Sequence, residues 1–124
     1  MADILGRVAL LVAVVAAAAI VAYGARRRPH HAPADITGLG FGPGLVVFTS
    51  TECRRCKLVL AAAKATGAPL REVTFELEAS LQEQAGVTGV PLTIVIDGDG
   101  KATAQFAGLV GERRLRRALA GAGL

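Results

Sequence analysis

Cys53 and Cys56 are the only cysteines in the 124-residue chain, and two residues separate them in Thr51-Glu52-Cys53-Arg54-Arg55-Cys56-Lys57. A bridge across so short a loop constrains little of the unfolded chain, so the pair is not a structural staple. Its spacing suits thiol-disulfide exchange, in which one sulfur attacks and the other resolves. It also suits a Cu(I) site, because two soft thiolates bind that ion well, although the two arginines between the sulfurs argue against it. A zinc site needs two more ligands, and His30 and His31 are the only histidines. The expectation is therefore exchange chemistry, with no metal and no cofactor.

What such a pair can do depends on the element that carries it. Residues 53 to 65 read as a helix with Leu58, Val59, Ala62 and Ala63 on one side, which puts Cys53 at the helix N-terminus. Unpaired backbone N–H groups and the helix dipole there favour thiolate over thiol. Arg54, Arg55 and Lys57 add positive charge and are the expected tuning residues, while Glu52 opposes them. Cys56, about one turn on, can reach back to Cys53. Cys53 is therefore the expected nucleophile and Cys56 the resolving sulfur.

The elements around the pair follow from patterning. Leu45 to Thr49 is a short apolar, β-branched run that reads as a strand, and the helix after the cysteines stops at Thr66, Gly67 and Pro69. Leu70 to Leu77 alternates imperfectly and suggests a second strand, with a short helix from Glu78 to Ala85. Leu92 to Ile96 is a buried-type strand. The turn Asp97-Gly98-Asp99-Gly100 leads into its hairpin partner, Lys101 to Phe106, and a last helix runs from about Gly111 to Ala120. The order β-α-β-α-β-β-α is that of an α/β sandwich, with the cysteines where the first strand gives way to the first helix.

Ahead of this domain lie two other segments. Val8 to Ala25 carries no charge, and with Ile4, Leu5 and Gly6 the apolar run is long enough to cross a bilayer as a helix. A cleaved signal peptide wants a more basic start than Asp3 and Arg7 supply, and Arg26, Arg27 and Arg28 at the far end tend to stop transfer. We expect an uncleaved anchor over 1–25, entering the membrane through 4–25. Residues 26–44 hold Pro29, Pro33, Pro43 and four glycines, the composition of a linker, with room for a brief strand around Ile36. The domain proper is expected over 45–124. Orientation follows Lys and Arg near the span, and the arginine triplet outweighs Arg7, which favours a cytoplasmic domain on a single-pass bacterial protein.

The net charge of +4 is split as +2 on residues 1–44 and +2 on residues 45–124, so no basic groove for nucleic acid is indicated. Arg113, Arg114, Arg116 and Arg117 on the last helix read as a solvated face opposite Leu115, Ala118 and Leu119.

Taken in order, Leu45-Val46-Val47-Phe48, C-x-x-C-Lys57, Gly86-Val87-Thr88-Gly89-Val90-Pro91 and Gly108 before a terminal helix resemble the thioredoxin-like family over residues 45–121. Pro91 to Gly100 is similar to membrane-tethered members in particular. The resemblance implies a mixed sheet flanked by helices, a cis Val90–Pro91 bond against the cysteines, and pairing of the Val90 backbone with a substrate strand. It also implies protein thiols or disulfides as partners and work outside the cytoplasm, against the charge argument. The chain departs from thioredoxin in Glu52 for Trp, in Arg54-Arg55 for Gly-Pro, and in Val47 for a buried Asp. The arginines should stabilise the reduced thiolate and raise the reduction potential. A thioredoxin fold that serves only for docking is the other outcome this sequence allows.

Overall fold

The computed structural model describes residues 2–27 and 33–124. Arg28, Pro29, His30 and His31, assigned above to the arginine triplet and the linker, lie outside the described residues. The chain forms two units, Met1–His30 and His31–Leu124.

The first unit is helix α1, Ala2–Arg27. Within it Asp3–Tyr23 is long and apolar enough to cross a membrane. Its 21 residues rise about 32 Å, close to the ~30 Å of a hydrocarbon core. The side chains from Asp3 to Tyr23 are exposed on every side, so α1 is not the core helix of a packed domain.

The second unit contains β1 (Gly44–Thr49), α2 (Arg54–Ala65), β2 (Leu70–Thr74), α3 (Phe75–Ala85), β3 (Leu92–Ile96), β4 (Ala102–Ala107) and α4 (Glu112–Gly121). The sheet order is β2-β1-β3-β4, with β1 parallel to β2 and antiparallel to β3, and β3 antiparallel to β4. This is a mixed sheet with helices on both faces. Because side chains alternate along a strand, β1 feeds two separate cores. Val46 and Phe48 join Val73, Ala85, Leu92, Ile94 and Ile96 on the α3 side. Leu45 and Val47 join Val59, Ala63, Val95, Leu115 and Leu119 on the side of α2 and α4. Every residue of β1 is buried, which explains its unbroken apolar run.

Two boundaries differ from those read in the sequence. β2 ends at Thr74, and Phe75 begins α3 where a strand was expected to continue to Leu77. Phe75 and Leu77 are exposed, so their apolar character was no sign of a strand's inner face. A break at Glu78 (φ −136°, ψ 46°) interrupts α3 close to where its start was expected. The second difference concerns residues 34–41, assigned by composition to the linker. Ile36 is buried, Ala34, Leu39 and Phe41 pack against the same core, and Phe41 meets Phe48 edge to face at 6.2 Å. The Asp35 amide donates to the Ala85 carbonyl (2.9 Å) and the Ala34 amide to the Gln105 side chain (2.9 Å). No strand forms around Ile36. Proline and glycine excluded regular structure there but not burial.

Gly44 opens β1 with φ +125°, and a Cβ there would collide with the Pro69 carbonyl, the group that accepts the Leu45 amide at 2.8 Å. Side chain and backbone geometry are therefore both against any other residue. Gly44→Ala should lower the stability of the domain by about 1–3 kcal/mol, as measured by urea unfolding of the full chain in detergent. Wild-type stability in that variant would show that the strand end shifts freely.

Candidate functional site

β1 ends at Thr49, and a loop of three residues carries the chain to Cys53, the N-cap of α2 (φ −93°, ψ 105°). Extended backbone at the cap turns the Cys53 side chain back over the first helical turn, where its Sγ accepts the Cys56 amide at 3.1 Å. One of the helix's otherwise unpaired donors thus points at that sulfur, and the amide stabilises negative charge on it. The Cys53 amide donates to the Ser50 carbonyl at 3.2 Å, which closes the loop. Cys53 and Cys56 form a disulfide across a Cα separation of 5.3 Å, well within bridging range. The two sulfurs differ in access. Cys53 is half-buried, whereas Cys56 is only 2% exposed, in the inward row of α2 with Val59 and Ala63.

Of the expected tuning residues, Arg54, Arg55 and Lys57 are all exposed on the first turn of α2, and Glu52 is exposed in the loop before it. The Val90–Pro91 bond is cis, with Pro91 buried and Val90 half-buried. The Gly108 amide donates to the Pro91 carbonyl at 2.9 Å, tying the segment before α4 to the proline. Val90 shares a cleft of about 280 Å³ with Ser50, Phe75, Gln82 and Val87, so the structure brings the loop ahead of Cys53 and the residue ahead of Pro91 to one recess. Pro91 does not line that recess.

Three polar residues at this end of the sheet escaped the sequence reading. The Glu76 carboxylate accepts the Ser50 hydroxyl at 2.7 Å and the Thr51 amide at 3.0 Å, clamping the loop that precedes Cys53. The buried Gln82 amide group donates to the carbonyls of both Thr49 and Val73 at 2.9 Å, binding the ends of β1 and β2 together. The Thr49 hydroxyl donates to the Glu72 carboxylate at 2.9 Å. Except for the Gln82–Val73 bond, these contacts span 23 or more residues and join segments that the parallel pairing of β1 with β2 brings side by side. No local pattern announces them.

The Ser50 hydroxyl first, and then the Thr51 amide, hold the Glu76 carboxyl below the ordinary glutamate range. A carboxyl lowered by folding supports the folded loop above its unfolded value and loses that support as pH falls through the lower, folded value. The clamp is therefore intact at neutral pH and is lost only in acid below about 4.5. In a pH titration by NMR the Thr51 amide should shift with a midpoint below that value, and Glu76→Gln should abolish the titration. A midpoint at or above the ordinary value would show that the clamp does not form.

No protein-family model and no curated protein sequence matches the chain; its likeness is to solved structures. A thio-disulfide isomerase from Thermus thermophilus aligns at 26% identity and a TM-score of 0.50, covering 65% of this chain and 79% of that one. Desulfothioredoxin from Desulfovibrio vulgaris Hildenborough, in its reduced form, aligns at 25% identity and 0.56, covering 66% and 83%. Chloroplastic thioredoxin z reaches 0.59 at 14% identity, covering 71% and 84%, which speaks to fold alone. With the sheet order, the disulfide-bonded C-x-x-C pair at the head of α2 and the cis Val90–Pro91 bond, these likenesses show that the chain has the thioredoxin-like fold, preceded in sequence by an apolar N-terminal helix.

Proposed function

We propose that this chain is a membrane-anchored thiol-disulfide oxidoreductase acting on protein partners. The observation that carries the reading is the asymmetry of the cysteine pair, with Cys53 half-buried at a helix N-terminus and its Sγ capped by an amide while Cys56 is only 2% exposed. In the reducing direction the Cys53 thiolate attacks one sulfur of a partner disulfide. A Cys53–partner disulfide forms, and the partner's other sulfur leaves as a thiolate. Cys56 then attacks Cys53 Sγ, the internal disulfide closes, and the second partner sulfur leaves, so that two electrons have passed from the dithiol to the partner. Run backwards, the same steps oxidise a partner dithiol. Arg54, Arg55 and Lys57 favour the thiolate by their charge, and the Val90 backbone, beside the cleft and just ahead of β3, is where a substrate strand pairs.

A Cys56→Ser variant should accumulate mixed disulfides with partner proteins and Cys53→Ser none, as read on non-reducing gels after acid quenching. Equal trapping by both would reverse or remove the assigned roles.

The anchoring rests on α1, whose 21-residue apolar stretch fits a membrane span, while a signal sequence has the same look. Arg26, Arg27 and Arg28 favour retention and an inside location for the C-terminal flank. We infer an uncleaved span with the N-terminus outside and the thioredoxin-like domain in the cytoplasm. A membrane-impermeant thiol reagent applied to intact cells after mild reduction should leave Cys53 unlabelled until lysis. Labelling before lysis places the domain outside, and a shortened soluble product means that α1 is cleaved.

A further inference from the structure

We propose that the first turn of α2 selects partners whose reactive cysteine is flanked by acidic residues, with Arg54, Arg55 and Lys57 attracting the partner's carboxylates; this rests on the exchange reading above. All three side chains are exposed, and among the described residues none of them is ion-paired. Cations elsewhere in the domain are engaged: Arg71 pairs with Glu78, Arg116 with Glu112, and Arg114 lies over the Phe106 ring at 5.1 Å. Folding gives no reason for the cluster on α2. A helix N-terminus favours acidic residues, yet the first turn of α2 contains none and sets its cations against the positive end of the dipole. Arg54 and Lys57 also stand three residues apart on one helix, where like charges repel. A local rule broken beside a reactive sulfur marks function rather than stability.

The thiolate of Cys53 uses part of this charge, since one anion offsets one of three cations. Residues 51–58 set those cations against a single carboxylate, Glu52, for a net +2. On the neighbouring strand edge, Glu72 and Glu76 accept from Thr49, Ser50 and Thr51. The surplus is greatest at one moment of the exchange. When Cys53 attacks, its negative charge passes to the sulfur that leaves, so in the mixed disulfide Cys53 Sγ is neutral. The cations then have lost their nearest anion. Because Cys53 is the N-cap of α2, a partner cysteine bonded to it brings its own neighbours in sequence to the first turn. An Asp or Glu within about three residues of that cysteine, roughly 10 Å of extended chain, comes within reach of the arginine side chains. It replaces the lost charge and favours the mixed disulfide, whereas a Lys or Arg there meets like charge. The recess beside Val90 is lined by no charged residue, so the preference falls on the α2 side of the site.

The test uses the reduced full chain in non-ionic detergent and two synthetic peptides that differ only beside their cysteine, with Asp flanking it in one and Lys in the other. Each peptide cysteine is capped as a disulfide with the same neutral aromatic thiol, whose release reports attack by Cys53. Each rate is divided by that of the same peptide with a small neutral thiol, which removes the peptide's intrinsic reactivity. At low ionic strength the Asp peptide should then react about fivefold faster or more, and in about 1 M salt the two should approach parity. Arg54→Gln combined with Arg55→Gln should cut the ratio about threefold or more. Any change in the thiolate population cancels, because both peptides meet the same sulfur. Arg113→Gln combined with Arg117→Gln removes equal charge from α4 and should leave the ratio in place. Equal rates in the wild type, a ratio untouched by the α2 substitutions, or one lowered equally by the α4 substitutions overturns the inference while the exchange reading stands. Absence of release from both peptides removes both.

Discussion

The burial of β1 on both faces is the constraint from which the rest of the domain follows. A strand paired on both edges and covered on both sides has one workable register, because a shift of one residue would exchange the sets Leu45/Val47 and Val46/Phe48 between two cores of different shape. Parallel pairing with β2 requires a crossover, and α2 supplies it. The crossover helix must therefore begin just past the end of β1, which is where Cys53 stands. Fixing one strand fixes the place, direction and exposure of the first helical turn.

The same pairing assembles the polar rim of the site. Thr49 and Thr74 are register partners, so the residues that follow each strand, Ser50 and Thr51 on one side and Glu76 on the other, are bound to meet. The first turn of α2 carries exposed cations while the neighbouring edge carries carboxylates held by hydroxyls and amides. Among the described residues neither Glu72 nor Glu76 is ion-paired with these cations; their carboxylates accept from Thr49, Ser50 and Thr51 instead.

What was legible in the sequence was local. β1 and β3 were visible because strands buried on both faces show unbroken β-branched runs, and the cysteine pair was visible because its spacing has few other uses. The turn after Ile96 was equally plain: Asp97 Oδ1 accepts the amides of Asp99 and Lys101, as such residues do in tight turns. The start of α3 was misplaced because Phe75 and Leu77 are apolar yet face solvent, so they mimic alternation without being buried. The packing of Ile36 and Phe41 went unseen since Pro and Gly mark an absence of helix and strand and say nothing about burial. Glu72, Glu76 and Gln82 were beyond reach, each being one charged or polar residue among many until the sheet is assembled.

The far end of α2 bears on what happens at the near end. Arg116 of α4 donates to the carbonyls of Ala65 (2.6 Å) and Thr66 (3.4 Å), and its guanidinium is held by Glu112 of its own helix. These are carbonyls that the helix itself leaves without partners, so the arginine works as a splint across two helices. A rod pinned at one end and opened at the other bends only near the opening. The place of α2 on the sheet therefore does not rest on the Cys53–Cys56 bond alone, because the end of the helix farthest from the sulfurs is tied to α4 by its own contacts.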